Sequence, residues 1–182
     1  MRSSKFEVLL LKMVASKKFR FVFVCSTLLA LADVAQAKPW RSIVPLRTTR
    51  AQVRKLLGKP IIGGAGALDL YDVKEGRVRV MYARHPCEEG LPADWGNWRV
   101  PHDTVVNISV QLHDAIPLRR LRIRNIERYK WYTDDSGASY YHDRVRGVEY
   151  QVEQGMVTAI TYGPASRDRR LRCKQNVPLL RY

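Results

Sequence analysis

The chain has 182 residues, in which 32 Lys and Arg stand against 17 Asp and Glu for a formal charge of +15, with three cysteines. That length can bury one sizeable core and argues for one domain or two small fused units rather than a longer array. The positive excess selects anionic partners, such as envelope lipid phosphates, acidic glycans or nucleic acid, and no stretch has the spacing of a known catalytic or cofactor site.

At the front, Lys17-Lys18-Phe19-Arg20 leads into apolar Phe21 to Leu31 and then Ala35-Gln36-Ala37. A basic flank, a short apolar run and small residues at a cleavage point describe a secretory signal peptide over 1–37, cut after Ala37. The run is interrupted by Asp33 and is shorter than the roughly 20 residues a bilayer crossing needs, so no transmembrane span is expected after cleavage. Met13 offers an alternative start, and Val22-Phe23-Val24 is too bulky to make Cys25 a lipid acceptor. Cleavage removes six cations and two anions, a net loss of four that leaves +11 on residues 38–182. The product is expected to be secreted or periplasmic, where Cys87 and Cys173 can oxidise to a disulfide; for so long a loop the chain-entropy account gives about 4 to 5 kcal/mol of stabilisation.

Along the mature chain, Thr49-Arg50-Ala51-Gln52 has the form of a capping box, so a helix is expected to begin there. Val53, Leu56 and Leu57 share one face, Gly58 suits a left-handed exit, and Pro60 prevents continuation. So short a helix does not persist alone, which requires its apolar stripe to lie on a sheet. Strand patterns follow: Ala67 to Val73 and Arg77 to Ala83 about a Lys74-Glu75-Gly76 turn, then Thr104 to His113 with Val106, Ile108, Val110 and Leu112 on one side. Leu118 to Tyr129 fits neither period cleanly and is read as a helix. Tyr140 to His142 reads as a short strand, and Val148 to Glu153 with Met156 to Tyr162 as a hairpin. Pro45-Leu46-Arg47 recurs as Pro117-Leu118-Arg119, each ahead of a Gly-turned hairpin, consistent with two tandem helix-plus-hairpin units over 43–113 and 116–173. The expected fold class is therefore α+β, a single domain over 38–182 with short helices packed on one face of an antiparallel sheet.

The segment Val44 to Pro60 resembles the opening of the BamE-like (SmpA/OmlA) domains. Thr49, Gln52, Val53, Leu57, Gly58 and Pro60 match their Thr-capped short helix, Gln-Val first turn and Leu-Gly-x-Pro exit, over roughly Ile43 to Ala83. The resemblance implies an antiparallel hairpin after the helix and, as in the similar fold of the beta-lactamase-inhibitor proteins, a non-catalytic envelope or secreted binding protein. The chain departs from that pattern in its long second half and in lacking a lipidated cysteine at the mature start.

Trp95 and Trp98 sit in the Pro- and Gly-rich loop 86–101 and are the first candidates for binding a partner, since exposed indoles stack on sugars or anchor proteins; as a lid over the sheet they would instead be buried. Arg120, Arg122 and Arg124, within a cluster that also holds Arg119 and Arg128, would line one face of an extended segment as a phosphate rail, or form a solvated face. A second cluster is Arg167, Arg169, Arg170 and Arg172. Nucleic acid is not favoured, because Tyr140, Tyr141 and the indoles lack the spacing of a stacking module. His85, Cys87, His102 and His113 match no zinc module, so no metal and no cofactor are expected. The expected function is an exported, non-catalytic protein of the bacterial envelope or periplasm that recognises a protein partner through its sheet face or Trp loop. Two rivals stand beside it: a small secreted hydrolase built on His102-Asp103 or His142-Asp143, and a basic protein attached to anionic lipid or glycan.

Overall fold

The computed structural model describes residues 37–87, 98–121 and 129–173. The signal peptide expected over 1–37 therefore lies, but for Ala37, outside the described residues. Seven strands, β1 (Leu68–Val73), β2 (Gly76–Tyr82), β3 (Val105–Pro117), β4 (Lys130–Thr133), β5 (Ser139–Asp143), β6 (Val148–Glu153) and β7 (Met156–Tyr162), form one antiparallel sheet. Their order is β1-β2-β3-β7-β6-β5-β4. Every pair of chain neighbours is also paired in the sheet except β3 with β4, and the β3–β7 pairing, which brings Ile108 opposite Tyr162 and Val110 opposite Ile160, fuses the first three strands to the last four.

Alternation explains the core. Tyr71, Val78, Val80, Ile108, Val110, Val148 and Tyr162 all point to one face and are buried with Trp40, Ile43 and Val53 in a single apolar cluster. A second cluster joins Tyr141, Val152 and Val157 at the β5–β7 end. The β2 start is held to glycine by crowding: a Cβ on Gly76 would lie 1.9 Å from the carbonyl oxygen of Gln111 on β3.

Helix α1 (Arg50–Leu57) begins and ends as its residues dictate. The Thr49 side chain accepts from the Gln52 amide, the Gln52 side chain accepts from the Thr49 amide, and Gly58 at φ 84 donates its N–H to the Arg54 carbonyl. Val53 is fully buried against the sheet and Leu57 packs beside it.

The α+β expectation of helices layered on the sheet is overturned. Among the described residues α1 is the one α-helix, eight residues long, beside a seven-stranded sheet. The segment expected as a second helix opens as a single 3₁₀ turn, Leu118–Leu121, and reaches β4 by Lys130, with 122–128 outside the described residues. Leu118 and Leu121 pack against the Tyr141, Val152 and Val157 cluster together with Ile116 and Ile160, so side chains of the strands themselves supply most of that core. The fold is sheet-dominated, and a repeat of helix-plus-hairpin units does not describe it.

Candidate functional site

The second face of the sheet is half-polar, as the alternation of β3 requires. Asn107 and Ser109 on β3, Thr161 on β7, Glu149 on β6 and His142 on β5 are partly exposed there, in registers that place Ser109 opposite Thr161 and Glu149 opposite both Thr161 and His142. At one end this face deepens into a cleft of about 600 Å³ whose lining includes Asn107, His142, Arg144, Glu149, Thr161, Ser166, Arg169 and Arg172. Tyr132 also lines it, stacked on Tyr140 with ring centroids 4.4 Å apart. Burial pushes the Tyr140 phenol up to about 12, helped by its hydrogen bond to Asp134.

The wall of the cleft is the disulfide-tied end of the molecule. Cys87 and Cys173 are joined, with Cα atoms 5.5 Å apart. Between them the backbone of Trp98 bridges Arg172, and Arg99 donates to Leu171 at 2.7 Å, which seats the 3₁₀ helix Ser166–Leu171 beside the open face. Trp98 is 2 % exposed, enclosed with Leu46, Ala83, Val100 and Val106, and the Arg172 guanidinium lies 4.9 Å over its ring. It is thus a wall residue and not an exposed anchor, and its indole Nε1 has no hydrogen-bond acceptor among the described residues. Arg120 is exposed on the 3₁₀ turn before β4. Trp95, Arg122 and Arg124 lie outside the described residues.

The far end of the same face has another character. Leu68 and Leu70 on β1 and Met81 on β2 share it, with Leu68 directly opposite Met81, and Ile62 extends the row by bridging Leu70. Exposed Arg79 and Arg77 flank this row on β2.

Beneath β1, on the covered face, lies a charged network that the sequence reading missed. Asp69 is fully buried and accepts from the hydroxyls of Tyr71 at 3.2 Å and Tyr82 at 3.3 Å, while Arg54 approaches both carboxylate oxygens at 3.3 and 3.4 Å. Arg50, also buried, stacks 4.2 Å over the Tyr82 ring and donates to the carbonyl oxygens of Gly64 and Gly66. Its Nε sits 3.2 Å from Asp103 without hydrogen-bond geometry, a contact of charge alone. Burial raises both tyrosine pKa values, so both phenols stay protonated donors to Asp69. The signal available was an aspartate at an inward position between Leu68 and Leu70. The Gly63 to Gly66 run is accordingly held by Arg50.

The pairs suggested for hydrolysis do not converge. His142 and Asp143 are successive strand residues, which places them on opposite faces of the sheet. His102 Nδ1 and Asp103 are 3.4 Å apart, but the imidazole is 60 % exposed in a turn, away from the residues that line the cleft. Among the described residues no three His, Cys, Asp or Glu side chains gather as a metal site would require. Nor is any described helix long and apolar enough to cross a membrane.

No protein-family model matches the chain. No curated protein matches it either. Among solved structures it is similar to a DUF4309 family protein (YjgB) from Bacillus subtilis subsp. subtilis str. 168, with a TM-score of 0.43 and 13% identity over 71% of this chain and 88% of that one.

Proposed function

We propose that the protein is an exported, non-catalytic binding protein of the cell envelope or periplasm whose recognition surface is the half-polar face of its sheet. The observation that carries this reading is the asymmetry of the sheet: one face is filled by Trp40, Ile43 and Val53, whereas the other presents partly exposed polar and charged side chains across β3, β7, β6 and β5. A broad face of that kind matches the area protein partners bury better than it matches an enclosed site for small-molecule chemistry. The Cys87–Cys173 bridge agrees with an oxidising compartment. The resemblance of Ile43 to Ala83 to BamE-like domains implies the same class of role.

Two measurements test it. N-terminal sequencing of the exported product is expected to begin at Lys38; an uncut, reduced protein held in the cytosol would sink the compartment assignment. A photo-crosslinking amino acid placed at Gln111, on the half-polar face, is expected to capture the same protein repeatedly in intact cells, whereas one at Lys55 on the exposed side of α1 is not. Equal capture from both positions, or none, overturns the assignment of the surface.

A further inference from the structure

We infer that the cleft on the half-polar face binds an acidic oligosaccharide, with a sugar ring against Tyr132 and a carboxylate or sulfate against Arg144, Arg169 and Arg172. This ligand is of a second class, beyond the protein contact proposed above, and occupies one end of the same face.

At about 600 Å³ the cleft has room for a ligand of a few rings. Thr161, Glu149 and His142 stand in one register row across β7, β6 and β5, two strand spacings or about 10 Å. Together with Asn107 they offer hydroxyl, carboxylate, imidazole and amide groups, a mixture of donors and acceptors that sugar hydroxyls can use in either direction. Tyr132 adds an aromatic platform. One face of its ring is stacked on Tyr140 with 7° between the planes, and the residue remains 44 % exposed. The Tyr140 hydroxyl donates to Asp134 at 3.2 Å, so the platform is fixed before a ligand arrives. A flat ring beside hydroxyl-binding groups suits the apolar C–H face of a sugar.

Charge sets the kind of sugar. Among the described residues that line the cleft three arginines stand against one carboxylate, Glu149. Even with Glu149 matched to one of them a cationic excess remains, on a chain whose formal charge is +15. The acids that adjoin these arginines in sequence are engaged elsewhere. Asp168 is buried and accepts from the Ala165 amide at 2.8 Å, and Asp143, on the opposite face from His142, lies 3.9 Å from Arg146. The cationic wall is also built in advance. Ser166 donates its amide to the Arg144 carbonyl at 2.8 Å, which ties the β5–β6 loop to the 3₁₀ helix that carries Arg169. Gly163 donates to Gly147 at 2.8 Å, and a Cβ on Gly147 would lie 2.3 Å from the Gly163 carbonyl oxygen, so this approach needs glycine there. Arg172 is held over the Trp98 ring. Guanidinium forks fixed in this way present paired donors to a carboxylate or sulfate.

The same geometry disfavours two other anionic polymers. A single nucleic-acid strand calls for successive stacking platforms along a basic groove, whereas the cleft has one exposed aromatic, Tyr132, among its described lining. An acidic peptide adds to a sheet at an edge, but the floor here is a sheet face whose backbone groups are paired within the ladder.

The test is isothermal titration of the folded, oxidised protein with four probes of matched length: an oligogalacturonate, a heparin oligosaccharide, a cello-oligosaccharide and an oligothymidylate. Binding of the oligogalacturonate, the heparin oligosaccharide or both is expected, weakening as salt rises, with none of the neutral cello-oligosaccharide. The Arg144→Glu, Arg169→Glu double variant should weaken it about tenfold or more. Tyr132→Leu should weaken it about threefold or more at high salt as well as low. Lys55→Glu with Lys59→Glu, the same charge change at α1 and away from the cleft lining, should leave affinity within about twofold. Failure of both acidic oligosaccharides to bind, oligothymidylate binding as tightly as they do, or equal weakening by the α1 and cleft variants would each overturn the inference. Protein capture at Gln111 with no saccharide bound would fell this inference alone, and saccharide binding without capture would fell the protein contact alone.

Discussion

Ile108 and Ser109 are adjacent on β3, yet Ile108 is fully enclosed among Tyr71, Val80, Val148 and Tyr162, while Ser109 is half-exposed on the opposite face and accepts a hydrogen bond from Thr161 at 3.4 Å. The same contrast runs through the molecule. Where the sheet is covered, even its ions are organised inward, with Asp69 surrounded by two tyrosine hydroxyls and Arg54. Where it is not, Arg77 and Arg79 project without an ion-pair partner among the described residues. Apolar burial is thus concentrated on one face, and the other carries partly exposed polar and charged side chains.

Removing the disulfide should cost the most, because its 86-residue separation constrains the unfolded chain and its bridge fixes the Trp98 wall at the end of the half-polar face. Cys87→Ser with Cys173→Ser is expected to lower unfolding free energy by about 4 to 5 kcal/mol in urea titrations. Asp69→Ala, which leaves the buried Tyr71 and Tyr82 hydroxyls without their acceptor, should cost about 3 to 5 kcal/mol by the same measurement, at about 1 to 3 kcal/mol per orphaned donor. A sharper form of the comparison uses the neighbouring pair: Ile108→Ala should cost about 2 to 5 kcal/mol by leaving a cavity, whereas Ser109→Ala should stay within about 0.5 kcal/mol. Equal losses at the two positions would mean that both faces are packed. Thr49→Ala, which opens the capping box of α1, should cost about 1 kcal/mol.

The smallest effect concerns pH. The Ser136 hydroxyl, joined by the Ala138 and Ser136 amides and the Tyr140 hydroxyl, holds the Asp134 carboxyl below its ordinary range. Its folded value is depressed, so its contribution is present above the unfolded carboxylate pKa and is lost as pH falls through the folded value. Acid titration of Asp134→Asn should show less loss of melting temperature below the ordinary carboxylate range than the parent.

Much of this arrangement was legible beforehand where the physics is local. Met156 to Tyr162 is a strand with those bounds, and the alternating run Val148 to Glu153 is another. The Thr49 cap, the Gly58 exit and the pairing of Cys87 with Cys173 follow from residue chemistry alone. Leu118 to Tyr129 misled because a spacing of three between Leu118 and Leu121 fits a 3₁₀ turn as well as an α-helix. β3 runs on to Pro117 through an irregular register between Gln111 and Ile116, where alternation is interrupted. β4 was missed because its four residues carry too short a pattern to stand out.

The sequence by itself determined the short capped helix, the hairpins and, from Ile108 onward, which side of β3 is apolar, since each depends on contacts within a few residues or on side-chain period; the Cys87–Cys173 pair followed from counting cysteines after residue 37. Only the tertiary structure decided that β3 pairs with β7, that Trp98 is a wall and not an anchor, that Asp69 is buried with Arg54, and that Ile62, Leu68, Leu70 and Met81 form one row. Those outcomes join residues far apart in the chain, and a linear pattern carries no term for which strand lies beside which until the whole sheet closes over its core.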